Sequence, residues 1–303
     1  MKAIVVAANA LHGMRIAEVG DPAPTYDQMV VEVSHASLNH GDLNDAVSGR
    51  IPQGGILGSD AVGTVVAPAL CGRGPGVGAR VLTMTSGAFA QYCLADLSAT
   101  VPLPQKVESV KAATLPVAGL AALQSLKQAF VANGSRVLIT GASGGVGRFA
   151  VQLARLKGAK VSAIAGRMHH ATLQSLGAAE LVSDIEELQG EFGAILDTVG
   201  GPQLAQAWRK LARRGYLVCI GSASGAPTTF EPYALIGPPK SLVSFLIGGS
   251  IADDLSELVG VLASGELAVD VAWEGPWTGI DEAVNTLLSR EFGGKLVLRM
   301  RDV

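Results

Sequence analysis

The chain of 303 residues is poor in charge, cysteine and basic clusters. Charged residues make up 16% of it and the formal net charge is −3. No run of lysine and arginine offers the positive footprint that a phosphate backbone requires, so no nucleic-acid partner is expected. No uninterrupted apolar stretch is long enough to span a bilayer, so no membrane role is expected either. The opening residues MKAIVVAANALHGMRIAEVG place one lysine before a short apolar run and read as a first strand, not a signal peptide. Cysteine is limited to Cys71, Cys93 and Cys219, with no Cys-x-x-Cys pair. That usage points to buried thiols in a reducing compartment, the cytoplasm. Internal repeats and low-complexity tracts are missing as well. What the chain has in quantity is apolar residues, 49% of the total, enough for two domains with sizeable cores.

The organising stretch runs from Arg136 to Leu156, RVLIT-GASGGVG-RFAVQLARL. Val137–Thr140 is a short β-branched run, as expected of a buried parallel strand. Gly141, Gly144, Gly145 and Gly147 break it. Val146, Ala150, Val151, Leu153, Ala154 and Leu156 then recur at helical spacing. Strand, glycine turn and helix together predict a dinucleotide site, because glycine lets the backbone approach a pyrophosphate and the helix N-terminus favours an anion. Aligned as G-x-G-x-x-G, the first position is Ala142 and the other two are Gly144 and Gly147. Apolar runs at Lys160–Ala165, Gly193–Asp197 and Tyr216–Ile220 continue a βαβ pattern, with helices expected at His169–Leu176 and Gln203–Ala212.

Before this stretch, strands are expected at Lys2–Ala7, Met29–His35, Ala61–Ala67, Ala79–Met84 and Phe89–Leu94, with a turn-rich loop at Cys71–Gly78. From Val110 the period becomes helical, in two pieces split at Pro116. After it, Pro238–Ser250 reads either as an edge strand that pairs with another subunit or as an internal strand covered by a helix. A helix at Ile251–Ala263, a strand near Ala268–Trp273, a helix at Ile280–Ser289 and a strand at Lys295–Met300 close the chain. The tail is too short to fold alone and is expected to complete the first domain.

Seven pieces then carry a family resemblance: SLNHGDLNDAVSGRIP (37–52), LGSDAVGTV (57–65), AATLPVAGLAAL (112–123), GASGGVGRFAVQLA (141–154), DTVGG (197–201), GYLVCIGSASG (215–225) and GGKLVL (293–298). In their order they resemble the medium-chain dehydrogenase/reductase superfamily, in its zinc-independent quinone oxidoreductase-like branch. The resemblance implies an α/β fold in which a Rossmann-type doubly wound parallel sheet domain (113–263) is inserted into a β-rich GroES-like catalytic domain (1–112 and 264–303), with the active site in the cleft. Zinc-dependent relatives hold their metal with an early cysteine and a Gly-His-Glu motif. Here the first region has Asn39, His40 and Asp42, the second reads Gly58-Ser59-Asp60, and serine is a poor zinc ligand, so no metal is expected. Family members usually have proline at His40 and threonine at Ala121.

For the cofactor, the turn residues Gly141, Ser143, Gly144, Gly145, Val146 and Gly147 are candidates, with Val199 in DTVGG and with Gly221 and Ser222 after a strand C-terminus. After Lys160–Ala165 an NAD enzyme usually carries an acid for the ribose 2′-hydroxyl. This chain has Gly166-Arg167-Met168-His169-His170 instead. A guanidinium can hold a 2′-phosphate through two charge-assisted bonds, so Gly166 and Arg167 point to NADPH. Lys295 and His169 are the next candidates, although His169 and His170 otherwise read as surface residues.

Hydride transfer needs orientation, exclusion of water and a way to meet charge on the acceptor. By its place in the motif Asn39 matches the family's asparagine near nicotinamide and substrate, where its amide could donate to an acceptor oxygen. Asp42 matches an aspartate that holds the loop. His40 is either a proton donor or a satisfied histidine. Tyr92 is either a catalytic residue or a core residue of its strand. The expected activity is an NADPH-dependent reduction of a quinone or an activated enone, a small-molecule substrate, by a homodimer. A tailoring reductase or non-redox cyclase of a biosynthetic pathway, and a protein that binds NADPH without turnover, are the alternatives.

Overall fold

In the computed structural model residues 1–289 and 291–301 are described. Strands β1 (Lys2–Val6), β2 (Met14–Glu18) and β3 (Gln28–Leu38) lead into helix α1 (His40–Ser48). Strands β4 (Asp60–Ala67), β5 (Arg80–Met84), β6 (Tyr92–Asp96) and β7 (Thr100–Pro102) follow, then α2 (Ser109–Ala112) and α3 (Leu120–Gln128). The alternating region holds β8 (Arg136–Ile139), α4 (Gly145–Leu156), β9 (Lys160–Ile164), α5 (His170–Leu176) and β10 (Glu180–Val182). It continues through β11 (Phe192–Asp197), α6 (Gly201–Lys210), β12 (Leu211–Cys219) and β13 (Ser241–Ser244). Helix α7 (Ile251–Ser264), β14 (Val271–Pro276), α8 (Ile280–Ser289) and β15 (Lys295–Arg299) end the chain.

These elements form two units, residues 1–120 with 248–303, and residues 121–247. In the first, β3 is the hub. It pairs with β4 along one edge and shares the other between β6, at Gln28–Glu32, and β15, at His35–Leu38. An alternating apolar face (Met29, Val31, Val33) buries itself in the core with Phe89, Leu57 and Ile4. Because β15 comes from the end of the chain, the tail does complete this sheet. The pairing Leu296↔Leu38 also sets Lys295 beside Asn39.

The unit boundaries differ from those expected. Residues 113–120 and 248–263 belong with the first unit, because α7 buries Leu255, Leu258 and Val259 and Leu258 packs against Gly119. The apolar face of α7 thus overrides the chain's alternation. Helix α1, not foreseen, begins where the Asp42 carboxylate accepts the Asn39 backbone N–H at 2.8 Å and ends at Gly49 in a left-handed conformation.

The second unit is a six-stranded parallel sheet ordered β10-β9-β8-β11-β12-β13. The order reverses between β8 and β11, the switch point at which such sheets take their ligands. Val137, Leu138 and Ile139 of β8 are fully buried, as a strand covered on both faces requires. Among the described residues strand β13 pairs with β12 alone, so Pro238–Ser250 carries an edge strand; Leu242 within it and Leu246 just beyond it are exposed. Among the described residues no helix is long and apolar enough to cross a membrane, and no disulfide joins the three cysteines.

Candidate functional site

In the first unit the sequence collects charge where burial makes it costly. Asp60 opens β4, Asp42 lies in the first turn of α1 and Lys295 opens β15; their exposures are 0%, 1% and 6%. Such groups persist in a protein interior only when hydrogen-bonded and paired. Asp60 accepts at Oδ2 from Ser37 Oγ (2.5 Å) and Asn39 Nδ2 (2.9 Å), and at Oδ1 from the Val117 backbone N–H (2.7 Å). Asp42 accepts at Oδ2 from the Asn39 N–H (2.8 Å) and Asn39 Nδ2 (3.2 Å), and at Oδ1 from Ser59 Oγ (3.0 Å). Lys295 Nζ donates to Asn39 Oδ1 and to Leu38 O, and stands 3.9 Å from Asp60 Oδ2.

Burial is the largest influence on all three groups. It pushes the Asp42 carboxyl from 3.8 to about 7, helped by the negative charge of Asp60 and opposed by its hydrogen bonds and by Lys295. It also raises Asp60 and lowers the Lys295 ammonium, each against the attraction of the other. At 3.9 Å that attraction does not outweigh the loss of water. Asp60, with donors on both oxygens and the ammonium close by, is the more favoured carboxylate. Asp42 is the group poised to carry a proton near neutrality.

A cavity of about 450 Å³ lies in the same unit. Ile51, Met84 and Ile251 give it apolar wall, and Ser59, Thr85 and Ser86 bring hydroxyls. Ser59 is half-buried and joins cavity to cluster. Its placement depends on Gly58, at φ +99°, where an added Cβ would stand 2.5 Å from the Phe89 ring.

The structure sorts the expected catalytic residues. Asn39 lies at the centre of the cluster, but its amide nitrogen is within reach of Asp60, Asp42 and the Ser37 carbonyl (3.3 Å). Its amide is committed inward, which makes it a positioning residue. His40 is the exposed first residue of α1. Tyr92 pairs with Glu32, well upstream along β3, and stands apart from the cluster. Lys295, expected at the cofactor, turns its ammonium into this cluster. Ser37, Ser59, Asp60 and the Val117 N–H were not foreseen as members. The available signal was Asp60 itself, an acid opening the apolar strand DAVGTVVA.

In the second unit the glycine turn follows β8 as expected. Gly144 caps α4 and is exposed, with only Gly141 O near a would-be Cβ, at 3.4 Å. A Cβ on Gly147 would meet Gly141 O at 2.5 Å and Ala142 Cα at 2.6 Å, so the helix can pack on its own turn only with glycine there. Ser143, Gly145 and Val146 complete the turn, and the first N–H groups of the helix have no intrahelical acceptor. Beside it, Asp197 is fully buried and binds Thr140 Oγ1 (2.6 Å) and the Gly200 N–H (2.7 Å). This bracket joins the ends of β8 and β11. Val199 is half-buried there, and Gly221 and Ser222 are exposed beyond β12, with Ser222 Oγ 3.1 Å from a would-be Cβ on Gly200.

After β9, Gly166 and Arg167 are exposed. His169 is not on the surface as expected: it is 9% exposed, and burial and the Arg148 charge lower its pKa. His170 is half-buried, its ring 3.0 Å from Ala165 O. Arg148, also unforeseen, is buried in α4 and donates from Nε to Ser143 O at 2.9 Å, bracing the turn. A glycine-rich turn at a helix N-terminus with the exposed Arg167 guanidinium beyond β9 fits a nicotinamide dinucleotide.

Known proteins share these features. Residues 145–264 match a family model described as a zinc-binding dehydrogenase, and residues 25–105 one described as an alcohol dehydrogenase GroES-like domain. The chain is 26% identical over 312 residues to a chloroplast envelope quinone oxidoreductase homolog of Arabidopsis thaliana, covering 94% of each. It is 32% identical over 209 residues to a trans-enoyl reductase of Aspergillus terreus, 58% of this chain and 69% of that one. A mycobacterial protein whose structure was solved complexed with NADPH superposes with a TM-score of 0.89 at 26% identity, over 99% of this chain and 100% of that one.

The first of those models makes zinc the implied metal, and the residues do not fit it. Among the described residues no three His, Cys, Asp or Glu side chains are grouped to hold a metal ion, and both oxygens of Asp60 are already engaged by protein donors. Strand order, glycine turn, GroES-like sheet and sequence matches agree: this chain is an oxidoreductase with a nicotinamide cofactor site, and it belongs to the medium-chain dehydrogenase/reductase superfamily, in its quinone-oxidoreductase-like branch.

Proposed function

We propose that the protein is an NADPH-dependent reductase that delivers hydride to a quinone or an activated enone without a metal ion. The observation that carries this reading is the cluster of Asn39, Asp42, Asp60 and Lys295, which presents Ser59 to an apolar cavity and engages its carboxylates with protein donors in place of a metal. Reduced nicotinamide supplies the hydride. An extended π-system spreads the charge that hydride addition leaves, which suits a site whose means of meeting charge are hydroxyls and a protonated carboxyl. The relatives named for quinone oxidoreduction and trans-enoyl reduction support the acceptor class.

The turn Gly141–Gly147 binds the pyrophosphate, Val199, Gly221 and Ser222 line the nicotinamide end, and Arg167 holds the 2′-phosphate. The exposed guanidinium, the lack of an acid among residues 166–170 and the NADPH-bound neighbour support that assignment. We further read the protein as a cytoplasmic homodimer joined through the β13 edge, where Leu242 and Leu246 are 42% and 87% exposed.

The test is consumption of NADPH over a panel of quinones and enones, with elemental analysis of the same sample. Turnover with no stoichiometric zinc is expected. Failure of every acceptor, or activity that depends on a bound zinc, overturns the reading.

A further inference from the structure

We propose that Ser59 and Asp42 form a two-residue proton relay into the cavity, in which the Ser59 hydroxyl protonates the reduced acceptor and the Asp42 carboxyl restores that hydroxyl. The proposal rests on the reductase reading above and adds the source of the second hydrogen, which that reading leaves open.

The cavity offers several candidate donors, and their bonding separates them. Thr85 spends its hydroxyl on the backbone, donating to Leu94 O at 2.5 Å. Asp45 is tied to the guanidinium of Arg50, whose Nε lies 2.6 Å from Oδ1, and an ion-paired carboxylate is a poor proton donor. Among the described residues no hydrogen bond links the Ser86 hydroxyl to an acid, whereas Ser59 both lines the cavity and lies 3.0 Å from a buried carboxyl. That contact works in either direction. The serine O–H donates to a carboxylate, and a protonated carboxyl donates to Ser59 Oγ.

Asp42 can hold the proton because of what faces it. The titratable groups around it are Asp60, at the start of β4, and Lys295, at the start of β15. Asp60 opposes a second negative charge, and Lys295 keeps the proton from being held too tightly. Between them Asp42 exchanges its proton near neutrality, where a general acid works best. The other oxygen of Asp42 is fixed by the N–H and amide of Asn39, so Oδ1 is the one aimed at Ser59.

The step balances. Hydride adds two electrons and one hydrogen to the conjugated acceptor and leaves an enolate or its quinone equivalent. Ser59 O–H gives its proton to that anion, the Asp42 O–H bond breaks to re-form Ser59 O–H, and Asp42 remains as carboxylate. Water admitted to the cavity reloads the pair through the same serine. One proton is taken from solvent per turnover.

The experiment has two arms. In the first, protein labelled with ¹³C at the aspartate carboxyls and free of nicotinamide is titrated by NMR. A carboxyl titrating near pH 7, absent in Asp42→Asn, is expected. Its pKa should rise in Ser59→Ala, which loses a bond to the charged form, and should be retained in Ser59→Thr. In the second arm, pH–rate profiles and solvent isotope effects are measured with NADPH and an enone. Ser59→Ala should lose about a hundredfold or more in kcat, the usual worth of a general acid, together with the alkaline limb and the isotope effect. Ser59→Thr should keep all three. An Asp42 carboxyl that titrates near 4 overturns the relay, and so does a Ser59→Ala enzyme with an unchanged profile. If no acceptor is reduced, the reductase reading fails. The relay is then judged on the first arm alone, where a carboxyl near 7 coupled to Ser59 supports it and any other result overturns it.

Discussion

The Lys295 ammonium donates to the amide oxygen of Asn39, tying the start of the last strand to the cap of the first α-helix across 256 positions of sequence. Asn39 in turn passes its amide hydrogens to Asp60 and Asp42, so one cation serves two acids, Asp60 directly at 3.9 Å and both through the Asn39 amide. Replacement of Lys295 by methionine is expected to destabilise the protein by about 3–5 kcal/mol at pH 8, the usual cost of leaving a buried charge without its partner. At pH 5 the loss should shrink, because the Asp42 carboxyl, with its pKa raised to about 7, is then protonated and less negative charge is left unpaired. Denaturant unfolding at the two pH values checks this, and an equal loss at both contradicts it.

Asp42 also makes a prediction about the wild type. Its folded-state pKa, about 7, lies above the 3.8 of an unperturbed aspartate. Between those values the native state holds a proton that the unfolded chain has released. Stability from this group is therefore present below pH 4 and falls as pH rises toward 7, by at most about 1.4 kcal/mol per unit. Asp42→Asn should flatten that slope in unfolding measured from pH 4 to 8.

Arg167 should decide cofactor choice. A charge-assisted hydrogen bond contributes roughly 1.5–3 kcal/mol, which is about ten- to a hundredfold in affinity. NADPH is expected to bind more tightly than NADH by about that factor. Arg167→Ala should weaken NADPH and leave NADH nearly unaffected. Equal binding of both cofactors to the wild type, or loss of both in the variant, assigns the discrimination elsewhere. Lys295, engaged in the first unit's cluster, is no longer the next candidate; Arg148 and His169 are.

His40 provides a contrast. It is exposed at the start of α1, outside the Ser59–Asp42 pair. His40→Ala should leave the pH–rate profile in place, and loss of its near-neutral limb would make His40 the donor.

The edge strand β13 leads to the last test. A double change, Leu242→Lys with Leu246→Lys, places charge on the β13 edge and just beyond it, at exposed positions outside the core. Light scattering is expected to report a dimer for the wild type and a monomer for the variant. A wild type that is monomeric at micromolar concentration rules out the dimer.

Periodicity and glycine spacing were enough to read most of the second unit, though not the short β10 or the start of β12 at Leu211. A parallel sheet is built from local βαβ repeats, so most strands and helices show within a few tens of residues, and the turn at Gly141–Gly147 could be placed by number. The first unit was legible as strands and by resemblance, and α8 was placed residue for residue at Ile280–Ser289. Its site was not legible. Ser37, Asn39, Asp42, Ser59, Asp60, Val117 and Lys295 come from four separate stretches of the chain, three of them brought together by the antiparallel pairing of β3 with β4 and β15. No local pattern encodes such a meeting, and only burial turns those ordinary side chains into a coupled set. The same holds for α7. Its amphipathic face is plain in the sequence, but which unit it covers was decided by the partners that Leu255, Leu258 and Val259 found in three dimensions. Sequence determined most of the elements and the glycine turn, because these depend on near neighbours. Tertiary structure alone decided which charges lost their water, and with that which carboxyl titrates near neutrality.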